Sequence, residues 1–124
     1  MRYLLDSNII IRLVIGVGDE LRARAADCDE GDLVTSAIAY AEVAYGSLNG
    51  KPPAFEKLQA FVEEVPVLSF DYKASQTYAA LPFRRGGYDR LIAAHALSED
   101  LVLVTENTAD FLDVPGLHVE NWTG

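Results

Sequence analysis

Four oxygen-bearing side chains stand out of an apolar background: Asp6, Glu42, Asp89 and Asn107. Asp6 is the only acid between Met1 and Gly18, and Glu42 is the only charged residue between Leu33 and Gly50. An ionised carboxylate on so apolar a helix is costly unless it finds a cation, a donor or a wet cleft. Hard oxygen ligands without a cysteine pair suit magnesium or manganese rather than zinc. A cation held in this way lowers the pKa of a bound water and clamps phosphate oxygens for in-line attack. Each residue also has a plainer role open to it. Asp6 or Ser7 can cap a helix. Glu42 can lie exposed or bond to a tyrosine, Asp89 can be an N-cap, and Asn107 and Asp110 can simply form a turn. The order of the elements decides whether the four meet.

Tyr3 to Leu5 reads as a short buried strand that Asp6 ends, and Ser7-Asn8 open a helix through Ile9, Ile10, Leu13 and Val14. After a turn at Gly16 to Gly18, Asp19 can cap a helix through Leu21, Ala25 and Ala26. Gly31-Asp32 lead into a strand, Leu33 to Thr35. Ser36 then caps a long apolar helix, Ala37 to Leu48, which Gly50 and Pro52-Pro53 terminate. Phe55, Leu58, Phe61 and Val62 have helical spacing. Val65 to Phe70 reads as a strand, and Asp71 caps a helix through Ala74, Tyr78 and Leu81. A loop from Pro82 to Gly87 carries Arg84 and Arg85, and a helix follows from about Asp89 to Ser98. The strand Leu101 to Thr105, a turn-rich stretch with Phe111, a Pro115-Gly116 turn and a strand around Leu117 to Val119 complete the chain.

Strands alternating with helices predict an α/β fold of three layers, a central and mostly parallel sheet with helices on both faces. In such a sheet the strands' carboxyl ends share one edge, and ligands gather there. Asp6 and Asn107 follow strands that end at that edge. Glu42 and Asp89 lie near the N-terminal ends of helices that begin at it. His95, in an apolar helix, and His118, in the terminal strand, read as structural. The helix with Tyr40 and Tyr45 reads as core, with a partner or dimer surface as the alternative.

The chain has 124 residues, enough for one domain spanning 1–124 with one core. Its formal net charge of −9 argues against a general nucleic-acid binder, whose affinity comes from lysines and arginines on phosphates. That charge permits a cation-dependent site and suits a basic protein partner, although solubility accounts for most of it. The lone Cys28 excludes an internal disulfide and a cysteine-based zinc site, which points to the cytoplasm. Asp6 and Arg12 interrupt the N-terminal apolar run, so neither a membrane span nor a secretory signal is expected.

Several stretches resemble the PIN-domain family, and within it the VapC-type ribonuclease toxins of type II toxin–antitoxin pairs. They are Tyr3-Leu4-Leu5-Asp6-Ser7-Asn8, Ser36 through Ala41-Glu42 to Tyr45-Gly46, and Asp89-Arg90-Leu91-Ile92-Ala93-Ala94-His95-Ala96. Val104-Thr105-Glu106-Asn107-Thr108-Ala109-Asp110-Phe111 and the ending Pro115-Gly116-Leu117 to Glu120-Asn121-Trp122 belong with them. Each is weak alone; their order and their coverage of nearly the whole chain make the resemblance specific.

The resemblance implies a PIN-like fold and a magnesium-dependent endoribonuclease, with manganese as a substitute, that cuts phosphodiester bonds with metal-activated water. Asp6 and Asp89 would hold the metal, and Glu42 would complete the acidic pocket and position the water. Ser7, Asn8 and Thr105 would support the site. The family's fourth acid falls on Asn107, a poorer ligand for a hard cation, so Asp110 is the candidate substitute. Arg84, Arg85 and Arg90 are candidate contacts for RNA phosphates, though ordinary surface charge explains them as well. The segment between Tyr78 and Asp89 is shorter than in many relatives, so substrate choice does not carry over. The resemblance further implies a homodimer and a VapB-type antitoxin whose tail lies over the acids, with DNA met only through that antitoxin. The competing expectation is a PIN-like interaction module with weak or no catalysis. Aspartyl-phosphate phosphatases need an acid where Asn8 stands, and receiver domains need a lysine after a late strand, where none follows Lys73.

Overall fold

The computed structural model describes residues 1–82 and 87–124. Tyr3–Leu5 forms strand β1, and all three side chains are buried, as in a strand covered on both faces. Leu4 and Leu5 are fully buried, which is worth about 1.5–3 kcal/mol for each side chain. Helix α1 (Ser7–Ile15) buries Ile9 and Ile10 and stops at Gly16, whose φ of 82° suits glycine and whose N–H donates to the Arg12 carbonyl. There follow α2 (Asp19–Ala26), β2 (Leu33–Ser36), α3 (Ala37–Leu48), α4 (Phe55–Glu64) and β3 (Val67–Leu68). Then come α5 (Tyr72–Ala79), α6 (Tyr88–Ser98), β4 (Val102–Val104), a 3₁₀ turn (Thr108–Phe111) and β5 (Val119–Glu120).

Among the described residues the strands form one sheet in the order β3-β2-β1-β4-β5, with every pairing parallel. The chain builds from β1 out to β3, then crosses back to the other side of β1 for β4 and β5. Right-handed crossovers put the helices of the two directions on opposite faces, the expected three-layer α/β arrangement. Among the helices α1 packs with α3 and α4, α5 packs with α6, and α3 also meets α6. The direction of travel reverses between β1 and β4, and their carboxyl ends flank the resulting crevice.

Some boundaries differ from those read off the sequence. β3 is confined to Val67–Leu68, because Pro66 has no N–H to give to the ladder. β5 begins at Val119, where it pairs with Leu103. Helix α2 has Gly18 as its N-cap, with Asp19 inside the first turn. Helix α6 is likewise capped by Gly87, so Asp89 lies in its first turn and does not cap it. The larger correction concerns α3. Only Ala39 and Val43 are buried, whereas Tyr45 and Leu48 are 73% and 69% exposed. A helix that is apolar on every side carries no periodic signal for its inward face.

His95 has a structural place. It is buried, its Nδ1 lies 2.8 Å from the Ser36 hydroxyl, and Phe70 meets its ring edge-on. Burial holds the imidazole below its ordinary pKa. The same Ser36 oxygen accepts the Ile38 N–H at 3.0 Å. One hydroxyl therefore caps α3 and ties it to α6, the two helices that carry Glu42 and Asp89. Among the described residues no helix is long and apolar enough to cross a membrane.

Candidate active site

Asp6 sits where β1 stops, and its backbone N–H donates to the Val104 carbonyl at 2.9 Å, joining it to the end of β4. Its side chain is 2% exposed. Oδ1 accepts the Ser7 N–H at 2.8 Å, which begins α1. Oδ2 accepts the Thr105 hydroxyl at 2.8 Å. Thr105 in turn accepts the Asn107 N–H at 3.1 Å. On the other flank the Thr35 hydroxyl donates to the Leu5 carbonyl at 2.8 Å. Two strand-end threonines thus fix the backbone and one carboxylate oxygen of this corner. The helix-cap role of Asp6 is real, and it coexists with the position beyond the strand end that active sites use.

The acids feel one another. Burial pushes the Asp6 carboxyl above its ordinary range, the Thr105 and Ser7 hydrogen bonds pull it back, and the charges of Asp89 and Glu106 raise it further. Burial raises Glu42 as well, the charges of Asp6 and Asp89 add to the rise, and the Ser7 hydroxyl opposes it. Asp89 is raised by burial and by Asp110, and lowered by Arg90. The carboxylates of Asp6, Glu42 and Asp89 therefore share one electrostatic environment, which Asp110 enters through Asp89. Such a group of like charges persists where a cation or a proton relieves it.

The remaining candidates fall around this core. Asn8 Oδ1 accepts the Glu106 N–H at 3.4 Å. Asn107 is exposed and reaches the site through its backbone N–H. Arg90 forms a fork with Asp113, at 2.6 and 2.8 Å, so its guanidinium is engaged by a carboxylate. Arg84 and Arg85 lie outside the described residues. Glu106 was not singled out from the sequence, yet its charge reaches Asp6 and its Oε2 accepts from Arg12 Nε at 2.8 Å. Only its place directly after Thr105 could have signalled it. Beside Glu42, an open pocket of about 450 Å³ is lined by Ile38, Ala41, Glu42, Tyr45 and Tyr88.

Comparison with known proteins agrees with this fold. The PIN-domain family model matches residues 3–117. The chain is 30% identical over 132 residues to the tRNA(fMet)-specific endonuclease VapC of Shigella flexneri, covering 99% of both chains. It is 33% identical over 134 residues to ribonuclease VapC1 of Haemophilus influenzae strain R2866, again covering 99% of both. Its fold superposes on the crystal structure of VapBC2 from Rickettsia felis bound to a promoter DNA fragment, with a TM-score of 0.84 at 28% identity over 98% of this chain and 99% of that one. It matches VapBC-1 of nontypeable Haemophilus influenzae with a TM-score of 0.82 at 30% identity over the whole of both chains. The family model, the whole-chain similarity and the fold agree, and the chain belongs to the PIN-domain family, in its VapC branch.

Proposed function

We propose that the chain is the toxin of a VapBC-type pair, an endoribonuclease that hydrolyses RNA phosphodiester bonds with a divalent metal ion. The observation that carries this is the buried Asp6 at the end of β1, its two carboxylate oxygens held by Ser7 and Thr105, with the charge of Asp89 felt by both Asp6 and Glu42. The donor set fits magnesium or manganese. These ions take hard oxygens, and magnesium keeps several waters while binding through one or two carboxylates. Among the described residues no group of three or more acid, histidine or cysteine side chains is placed to hold an ion, so the reading needs a hydrated ion held by one or two carboxylates. Asp6, whose Oδ2 is oriented by Thr105, and Asp89 would hold the ion. When bound, it would lower the pKa of a water and shield phosphate charge.

The chain's own residues do the rest. Glu42, raised in pKa and touched by the Ser7 hydroxyl, can hold the attacking water and accept its proton. Ser7 and Thr105 fix the Asp6 carboxylate and prevent its rotation away from the crevice. Asp110 is the better candidate for the fourth acid, because its charge reaches Asp89 while Asn107 contributes a backbone N–H. Asp110→Asn is expected to lower cleavage by about 10- to 100-fold, the usual range for a residue that supports a metal site. Asn107→Ala should stay within about 3-fold of wild type, since it keeps that N–H. Equal losses in the two variants, measured as initial cleavage rates, would restore Asn107 to an equal role.

The VapBC complexes among the similar structures support a VapB-type partner, and the rest of the partner reading is proposed with it. A VapB-type antitoxin would cover the acids with its tail, the active form would be a homodimer, and DNA would be met only through the antitoxin. The decisive test is cleavage of mixed cellular RNA in magnesium, manganese or EDTA, comparing wild type with Asp89→Asn. The expected result is cleavage that needs both metal and Asp89, with products that reveal the target. No cleavage by the folded, antitoxin-free chain in either metal would favour the interaction module. Cleavage that survives EDTA or Asp89→Asn would refute this site.

A further inference from the structure

The pocket beside Glu42 is not explained by the acids. Its walls are Ile38, Ala41, Glu42, Tyr45 and Tyr88. The two tyrosines stay 73% and 59% exposed, and among the described residues neither ring stacks on another aromatic ring. Exposed aromatic surface gathered around a concave site marks a place where something binds. Both rings are tied to the acids by short stretches of helix. Tyr45 follows Glu42 by three positions on α3, a spacing that puts the two on one face. Tyr88 immediately precedes Asp89 in the first turn of α6. Ser36 and His95 join these helices, so rings and acids stand on two linked elements.

The chemistry of the walls selects the occupant. Among the described residues the walls are apolar and aromatic apart from Glu42. Glu42 in that wall also belongs to the acid group, so the pocket adjoins the site where a phosphodiester would be cut. A nucleoside attached to that phosphate must lie within the reach of one sugar. Single-stranded RNA is recognised by bases splayed out and stacked on aromatic side chains, a contact that tolerates any base. We propose that the Tyr45–Tyr88 pocket holds a nucleobase of single-stranded RNA flanking the scissile phosphate, stacked on one or both rings. A second copy of the chain fits less well, because the cores of protein interfaces are depleted of charge and Glu42 stands in this wall. The inference rests on the nuclease reading above and adds how the substrate strand is gripped.

The test compares two fluorescein-labelled single strands of about eight nucleotides, a length within the usual site size. One is oligouridylate, and the other is the same ribose-phosphate chain without bases. Binding is followed by anisotropy in calcium for wild type, Tyr45→Ala, Tyr88→Ala, Tyr45→Phe and Tyr88→Phe. Wild type is expected to prefer the base-bearing strand. Each alanine variant should lose on the order of 10-fold in affinity for it, while the phenylalanine variants keep the ring and the affinity. Affinity for the abasic strand should not move in any variant, a pattern that misfolding does not produce. Equal binding of the two strands by wild type would overturn the proposal. So would alanine variants that bind oligouridylate normally but change oligomeric state by sedimentation, or lose the antitoxin. A failure of the nuclease reading looks different: base-dependent binding through the tyrosines, with no RNA cut in magnesium or manganese.

Discussion

Asp6→Asn is expected to lower metal-dependent RNA cleavage by about 10³-fold or more, while the melting temperature in EDTA stays at or above that of wild type. A factor of that size corresponds to about 4 kcal/mol of barrier, within the several kcal/mol that a catalytic cation supplies. The loss arises because an amide is a neutral, weaker ligand at a site acid whose two oxygens are oriented, by Ser7 and by Thr105. The stability expectation has a separate origin. Burial and the charges of Asp89 and Glu106 outweigh those hydrogen bonds and raise the Asp6 pKa. The folded chain therefore favours a neutral group here, and asparagine supplies one while still accepting the Ser7 N–H. Asp6→Ala should lose the same activity but melt lower. It leaves the Ser7 N–H without its acceptor and the Thr105 hydroxyl unpaired, at a cost of about 1–3 kcal/mol for each buried group. Thermal melts of the three chains beside their cleavage rates separate chemistry from folding. An Asp6→Asn chain that melts well below wild type would mean that the carboxylate is structural.

The same corner shows what was legible in the sequence. A strand that ends in an acid, and a second strand that ends in a threonine, are local patterns. Parallel pairing then brings Asp6 and Thr105 together, whichever strands lie outside them. The alternation of elements predicts only the shared edge; the meeting of Asp6 and Thr105 follows from the adjacency of β1 and β4. Glu42 was legible because a single charge on an apolar helix demands a reason. Glu106 was not, because an acid after a strand is ordinary, and its interest comes from Arg12, far away in sequence. The Arg90–Asp113 fork was hidden for the same reason. Tyr45 reads as core, with a partner or dimer surface as the alternative, because α3 is apolar all round. Which of its faces turns outward depends on the packing of α1, α4 and α6 against it, and a helix without a polar stripe does not encode that choice locally.

Magnesium or manganese is expected to raise the melting temperature at neutral pH, and that rise should shrink as the pH falls into the carboxylate range. Asp6, Glu42 and Asp89 all have folded pKa values above the ordinary 3.8 for aspartate and 4.5 for glutamate. Between its unfolded and folded values each acid binds more protons folded than unfolded. Without metal, the three acids therefore weaken the fold as the pH rises through that window, and the penalty persists above it. A cation removes that repulsion only by binding the deprotonated groups, so its uptake competes with protons. At a metal concentration 100 times its dissociation constant, mass action contributes about 2.7 kcal/mol, on the order of 10 °C for a chain of this size. His95 acts in the opposite sense. Its lowered pKa makes the folded chain resist protonation and lose stability as the pH falls below the ordinary histidine value. The difference between melts with and without metal cancels that contribution, because His95 lies with Ser36 and Phe70 and outside the acid group. Asp89→Asn should abolish most of the metal-induced shift, and Asp110→Asn only part of it. A shift of equal size at every pH, or one that survives Asp89→Asn, would place the bound metal somewhere other than among these acids.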